Sequence, residues 1–409
     1  MHKIELLAPV ADLEQLKIAF NYGADAVYTG GEIFGSKTTS KNFTKNQIIE
    51  GTEFAHKLDK KLYVTVNVIP HNDDFNKLDE YLLELQEANV DALIIADPGV
   101  LNRVKNIVPN MEVHLSSQAN IANYATADFW YKQGVKRVTV ARELSFKEIA
   151  EMRARTPFEM DIEAFIHGSI CISYSGRCLI SNYLNGRDNL KQTINYSNKL
   201  EYNLIEEKRQ GEYYPVYEDK RGTFFYNSKD LCMIEYIPEL IKTGITSLKI
   251  EGRLKTVYNL ASIIRSYRIA IDEFYKNPKQ WKFNTLWLEE IRKGTSRDFT
   301  TGFYLDETRE YNKEDEEYLT INNYEFVGLV KDTEEGLALV KLKNEIKVND
   351  EVEVIAPYKE TIFAKIEKIY NENDEVVDVV KNKEKVVKVK LSQLVDKDYM
   401  LRREIKNEQ

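Results

Sequence analysis

Two of the three cysteines in this 409-residue chain, Cys171 and Cys178, stand seven positions apart in the stretch IHGSICISYSGRCLISN, and His167 lies just upstream. The third, Cys232, follows 54 residues later in NSKDLCMIEY. A short cysteine spacing with a distant third member, in a segment punctuated by glycine, fits the outline of thiolates that hold an iron–sulfur cluster. His167 four positions before Cys171 also admits a Cys–His nucleophile pair, although no third group to orient the histidine is evident. The plain alternative is three buried structural thiols, since unpaired cysteine is among the most buried residue types. A disulfide framework is the reading the rest of the chain removes. Glu5 and Asp12 interrupt the N-terminal segment where a signal peptide needs an apolar run, and the apolar runs are far shorter than the ~20 residues that span a bilayer. A cytoplasmic, reducing setting without a membrane partner is therefore expected.

Composition places few limits on function. Hydrophobic residues make up 43% and aromatics 11%, as in an ordinary soluble protein of more than one domain. The net charge of −9 does not advertise a nucleic-acid binder, so any attraction to phosphate must come from a local basic patch.

The elements that must position these residues alternate in type. Apolar, β-branched runs at residues 4–10, 24–30, 61–69, 90–97, 112–120, 135–143, 161–168 and 245–253 alternate with amphipathic helical segments. Asp12 is the expected N-cap of the first helix, and Pro98 suits a first helical turn. Eight βα units of this kind predict a parallel sheet buried on both faces and closed as a (β/α)8 TIM-like barrel. An open doubly wound sheet is the alternative, but no G-x-G-x-x-G follows the first strand. One connection is far longer than the rest. About 76 residues, 169–244, separate the seventh and eighth strands. This insertion leaves from the C-terminal end of a barrel strand, where such enzymes keep their chemistry, and carries all three cysteines. The barrel with its insertion is expected over 1–318, and a small all-β, barrel-like domain over 319–409, where short alternating runs replace the βα rhythm. Its lysine cluster, Lys381–Lys390, reads either as a phosphate contact or as a solvated edge strand protected by lysines.

The C-terminal strand ends line the expected mouth: Tyr28 to Gly30, Asn67, Asp97, Ser117 and Gln118, Arg142 and Glu143, His167, and Glu251 to Arg253. Arg142 and Arg253 are candidates for receiving a carboxylate, because the guanidinium fork pairs with it through two bonds. Alternatively, they clamp Glu143 and Glu251. His167 is a candidate acid–base group, and Asn67, Gln118, Glu251 and Arg177 are candidate substrate contacts.

The long stretch EAFIHGSICISYSGRCLISNYLNGRD closely resembles the signature of the collagenase-like peptidase family. NSKDLCMIEYIPELIKTGITSLKIEGRLK and the opening ELLAPVADLEQLKIAFNYGADAVYTGG are similar to the same family. The resemblance covers the barrel and extends to the β-rich tail. It implies a TIM-like fold and, within the family, a branch of tRNA hydroxylation proteins that act on the wobble uridine to give 5-hydroxyuridine, with prephenate as co-substrate and tRNA as partner. It also implies a 4Fe–4S cluster on Cys171, Cys178 and Cys232. The family pattern has further cysteines in a segment shaped C-x3-C-R-W-K-Y, where this sequence reads INYSNKLEY, with Ile194 and Asn198 at those positions. Either the cluster persists on three thiolates with an open position, or it has been lost and the chain serves beside a homologous subunit with a complete cysteine set. The family has also been described as proteases or collagenases, which leaves a peptidase, with Cys171 or another group as nucleophile, as the rival.

Overall fold

The computed structural model describes residues 3–34, 42–170, 202–205, 213–219, 222–225, 229–252, 255–295, 297–305, 323–381 and 383–405, with backbone alone for 202–225. Cys171, Arg177, Cys178, Ile194, Asn198 and Arg253 lie outside these residues. The chain divides into two compact units, one comprising Met1–Phe20, Ala24–Leu254 and Arg297–Tyr318, the other Asn21–Gly23, Lys255–Ser296 and Leu319–Gln409.

The first unit is a parallel barrel. Its strands are β1 (Glu5–Pro9), β2 (Ala26–Gly30), β3 (Lys61–Val66), β4 (Ala92–Ile95), β5 (Val113–Leu115), β6 (Arg137–Thr139) and β7 (Asp161–Ser169). A backbone ribbon of β8 (Tyr202–Ile205), β9 (Tyr213–Asp219) and β10 (Gly222–Phe225) follows, then β11 (Asp230–Cys232) and β12 (Ser247–Ile250). β12 pairs in parallel with β1, matching Ser247 to Glu5, and with β7, matching Ser247 to Glu163. These two pairings close an eight-stranded cylinder of β1 to β7 and β12. Runs such as Ala92-Leu93-Ile94-Ile95 are buried on both faces, which is why they read as continuous rather than alternating.

Helices α1 (Leu13–Asn21), α2 (Lys45–Lys57), α3 (Leu78–Glu87), α4 (Pro98–Ile107), α5 (Tyr124–Lys132), α6 (Phe146–Ala154) and α7 (Ile237–Lys242) occupy the βα connections. Their starts follow local chemistry. Asp12 Oδ1 accepts from the Gln15 amide at 2.8 Å, as expected of an N-cap. Asp97 caps α4 ahead of Pro98, and Ser145 forms a capping box with Glu148. Before α3, Asn72–Lys77 forms a 3-10 turn, and the α-helix begins at Leu78. Strand β7 runs past the rim of the cylinder. There its last residues pair antiparallel with β11, matching Ser169 to Asp230 and His167 to Cys232, and β11 pairs with β13 (Phe299–Thr300).

The second unit contains helices α8 (Val257–Lys276) and α9 (Thr285–Arg292). Its strands are β14 (Tyr324–Glu334), β15 (Leu337–Leu342), β16 (Ile346–Lys347), β17 (Glu351–Ile355), β18 (Ile362–Tyr370), β19 (Val376–Val377), β20 (Val379–Val380), β21 (Val386–Leu391) and β22 (Met400–Glu404). The antiparallel order β17-β22-β14-β15-β21-β18 closes through β17–β18 into a barrel around Val327, Val340, Val354, Ile366 and Val389. Arg402 is fully buried and held by Glu290 at 2.7 Å, Glu353 at 2.5 Å and the Tyr258 hydroxyl at 3.3 Å. Of the lysine cluster, Lys381, Lys385, Lys388 and Lys390 each lie within 4 Å of a carboxylate, from Glu345, Glu372, Asp374 and Glu367 respectively. Paired with acids, these ammonium groups are solvated edge charges rather than a bare basic patch.

Candidate functional site at the barrel mouth

The interior of the first barrel is charged at its N-terminal end. Side chains at alternate strand positions point inward, which turns Glu5, Arg137, Glu163, Ser247 and Lys249 toward one another. Arg137 donates to Glu5 at 2.5 Å and lies 3.4 Å from Glu163. Lys249 Nζ donates to Glu163 at 2.7 Å, and the Thr139 hydroxyl donates to the same carboxylate at 2.8 Å. The Ser247 hydroxyl lies 2.8 Å from Glu5 and 3.1 Å from Glu163, and the Tyr63 hydroxyl donates to Glu5 at 2.7 Å. Two carboxylates thus meet two cations, and the surrounding hydroxyls supply further hydrogen bonds.

Burial pushes the Glu163 carboxyl up, but the Lys249 and Arg137 charges outweigh it and hold the group at about 2. Burial likewise opposes ionisation of Glu5, and Arg137 reverses this to leave it lowered. Lys249 is lowered by burial against the attraction of Glu163. His114 is kept neutral-leaning by burial and by Arg137, while its Nε2 lies 2.8 Å from Glu112. Both carboxylates of this floor are therefore ionised at neutral pH and matched by cations. Each charge of this floor has a partner of opposite sign. Leu7, Ala26, Tyr28, Tyr63, Ala92 and Ile94 form a buried apolar cluster beside it.

The mouth is built differently. Arg142, half-buried, sets its guanidinium 3.9 Å from the centre of the Phe165 ring and donates to the Ser169 carbonyl at 2.5 Å. It forms no ion pair among the described residues, so the clamp with Glu143 is not what it makes. Arg297, which the sequence reading did not single out, donates to the Ser169 hydroxyl at 3.2 Å and lies 3.4 Å from buried Asp230. Asn67, following β3, and Ser116, following β5, reach across β4 so that Asn67 Nδ2 lies 3.5 Å from Ser116 Oγ. Asn67 Oδ1, Gln118 Oε1 and Asn120 Oδ1 are buried atoms that no hydrogen bond satisfies. Leaving such a group unpaired costs about 1–3 kcal/mol each, which the fold tolerates where a ligand supplies the missing partner.

His167 is buried with its ring edge toward Phe299, at 5.8 Å between centroids, and is the strand partner of Cys232. Glu251 follows β12, its amide donating to the His167 carbonyl at 2.8 Å, and its own carbonyl lies where a side chain on Gly168 would have to sit. Gly168, at φ +107°, is the residue that permits this approach. The structure thus gathers Asn67, Gln118, Arg142, His167, Cys232 and Glu251 at the strand ends of one cylinder. Cys232 is the one described thiol, and no group of three or more His, Cys, Asp or Glu residues among the described residues is placed to hold a metal ion. Cys171 and Cys178, the other two thiols of the expected cluster, lie outside the described residues. The floor residues were legible in principle, since ELLAP, RVT, DIEAF and SLKIE each carry charge at inward-alternating positions.

Comparison with known proteins places the chain. The model of Peptidase family U32 matches residues 11–314, and that of the Peptidase family U32 C-terminal domain matches residues 322–402. The tRNA hydroxylation protein P1 of Bacillus subtilis is 39% identical over 403 residues, covering 98% of this chain and 95% of that protein. The tRNA hydroxylation protein P of Escherichia coli is 37% identical over 398 residues, with 87% of each covered. The 23S rRNA 5-hydroxycytidine synthase of Escherichia coli is 33% identical over 271 residues, covering 66% of this chain and 40% of that protein. Among the described residues no helix is long and apolar enough to cross a membrane. Its barrel and its β tail alike match, and the chain belongs to peptidase family U32.

Proposed function

We propose that this chain hydroxylates RNA, and that its substrate is the wobble uridine of tRNA. The observation that carries the reading is its identity of 39%, over 98% of its length, with a protein named for tRNA hydroxylation. The mouth supports it, because a base-modifying site needs neutral hydrogen-bonding groups for the base and a cation for an acidic co-substrate. Asn67 and Gln118 supply the first and Arg142 the second. Replacing C5–H by C5–OH removes two electrons from the base, so an oxidant or oxygen donor must enter with it. Prephenate is the co-substrate we assign, its carboxylate paired with Arg142, which presents a planar fork on an apolar ring. An iron–sulfur cluster, if held by Cys171, Cys178 and Cys232, would supply redox or Lewis-acid chemistry.

Deletion of the gene is expected to remove 5-hydroxyuridine-derived nucleosides from bulk tRNA, measured by liquid chromatography and mass spectrometry. Complementation with the wild-type gene restores them, and Arg142→Ala restores less than about a tenth. An unchanged nucleoside profile after deletion overturns the proposal. Ile194 and Asn198, at positions where the family has cysteines, favour a second reading: a non-catalytic subunit beside a homologue with the full set. In that case Arg142→Ala complements normally, and the protein co-purifies with the homologue. Hydrolysis of gelatin by the pure protein, abolished in Cys171→Ser, would instead favour the peptidase reading.

A further inference from the structure

We propose that Asn67, Gln118 and Asn120 read the hydrogen-bonding edge of a pyrimidine drawn out of the RNA into the barrel mouth, separately from the arginine that serves the anionic co-substrate. This rests on the RNA reading above and adds which residues recognise the base. Three side-chain amides at the ends of β3 and β5 each bury an oxygen that no hydrogen bond satisfies. Asn67 is 8% exposed, and its amide nitrogen reaches only Ser116, at the outer limit of a hydrogen bond. Asn120 holds the left-handed conformation at φ +55°, which ends the short turn Ser117–Ala119 and fixes the second amide two residues from the first.

The chemistry of these groups selects the ligand. None carries charge, so they do not suit phosphate or carboxylate. Each primary amide offers an acceptor and donors side by side, and rotation about its last torsion exchanges which faces the ligand. The edge of uracil alternates in the same way, with N3–H between two carbonyl oxygens. Asn and Gln are accordingly side chains that read bases through paired bonds. A base taken out of its stack loses hydrogen bonds to water that the pocket must replace. Arg142, one of the charged residues of the mouth, stands on the β6–β7 flank against Phe165. A neutral edge and an anion are thus received by different walls.

The test is binding of a fluorescent anticodon-type stem-loop carrying uridine at the wobble position, against the same stem-loop with an abasic nucleotide there, to the full chain. The wild type is expected to prefer the uridine hairpin by about ten-fold, as one good paired contact provides. Asn67→Ala and Gln118→Ala each bring that ratio to within about two-fold of unity while leaving affinity for the abasic hairpin unchanged. Asn120→Gly removes the amide and keeps the left-handed backbone, so it separates loss of recognition from loss of fold. Arg142→Ala keeps the ratio. Asn67→Asp shifts preference toward a cytidine hairpin, because a carboxylate only accepts and cytosine N4 donates. Equal wild-type affinity for the uridine and abasic hairpins, or amide variants that keep the ratio, overturns the base-reading assignment and leaves the RNA reading standing. Failure of both hairpins to bind overturns both.

Discussion

The floor and the mouth of the barrel are made from the same eight strands and differ in one respect. At the floor every carboxylate and cation has its match: Glu5 with Arg137, Glu163 with Lys249. At the mouth Arg142 has no carboxylate among the described residues, and three amide oxygens have no donor. Burial alone therefore does not mark a functional site, since the floor is the more deeply buried and more strongly charged of the two. What separates them is whether the charged groups are already paired. Paired charges hold the cylinder together, and an arginine left without a carboxylate is open to an anionic ligand.

The comparison breaks if the floor proves dispensable. Lys249→Ala or Glu163→Ala leaves an uncompensated buried charge and is expected to cost about 3–5 kcal/mol in urea denaturation. A loss below about 1 kcal/mol would put the floor in the same class as the mouth. The acid limb of stability sharpens the same point. Glu163 is held at about 2 against an ordinary value of 4.5. A lowered carboxylate contributes stability that is fully present above pH 4.5 and lost as pH falls from there through 2, here worth about 3 kcal/mol. Glu163→Gln should flatten that part of the stability–pH curve, read by chemical denaturation at several pH values. The smallest effect belongs to the mouth. Asn67→Ala and Gln118→Ala are expected to destabilise the protein by less than about 1 kcal/mol, because the oxygens they delete satisfy nothing in the free protein. A loss of several kcal/mol would make those amides structural.

Much of the architecture was legible because its signal is local. Continuous apolar runs and helix caps such as Asp12, Asp97 and Ser145 act within a few residues, and they fix both the order and the type of the elements. The floor was not legible as a network, because its partners are distant in sequence: Arg137 and Glu5 are 132 positions apart, Lys249 and Glu163 86. Alternation says that Glu163 points inward but not what it meets there. Arg297 carries no motif and reaches Ser169 only through the pairing of β7, β11 and β13. Conversely, the place of Asn67, Gln118 and Arg142 at the barrel mouth was legible from position alone, since a polar residue at the C-terminal end of a barrel strand has few places to go. The three-cysteine reading rests mainly on Cys171 and Cys178, outside the described residues, with Cys232 placed beside His167.

The antiparallel match of Ser169 with Asp230, just beyond the cylinder, works like a zip across the neck of a pouch. Whatever the segment between them does, its two ends are already fastened, so its length enters the folding balance only through a logarithm, roughly 0.6 kcal/mol for each doubling. Chains built on this plan can therefore trade one insert for another of quite different size while the eight staves of the barrel stay shut.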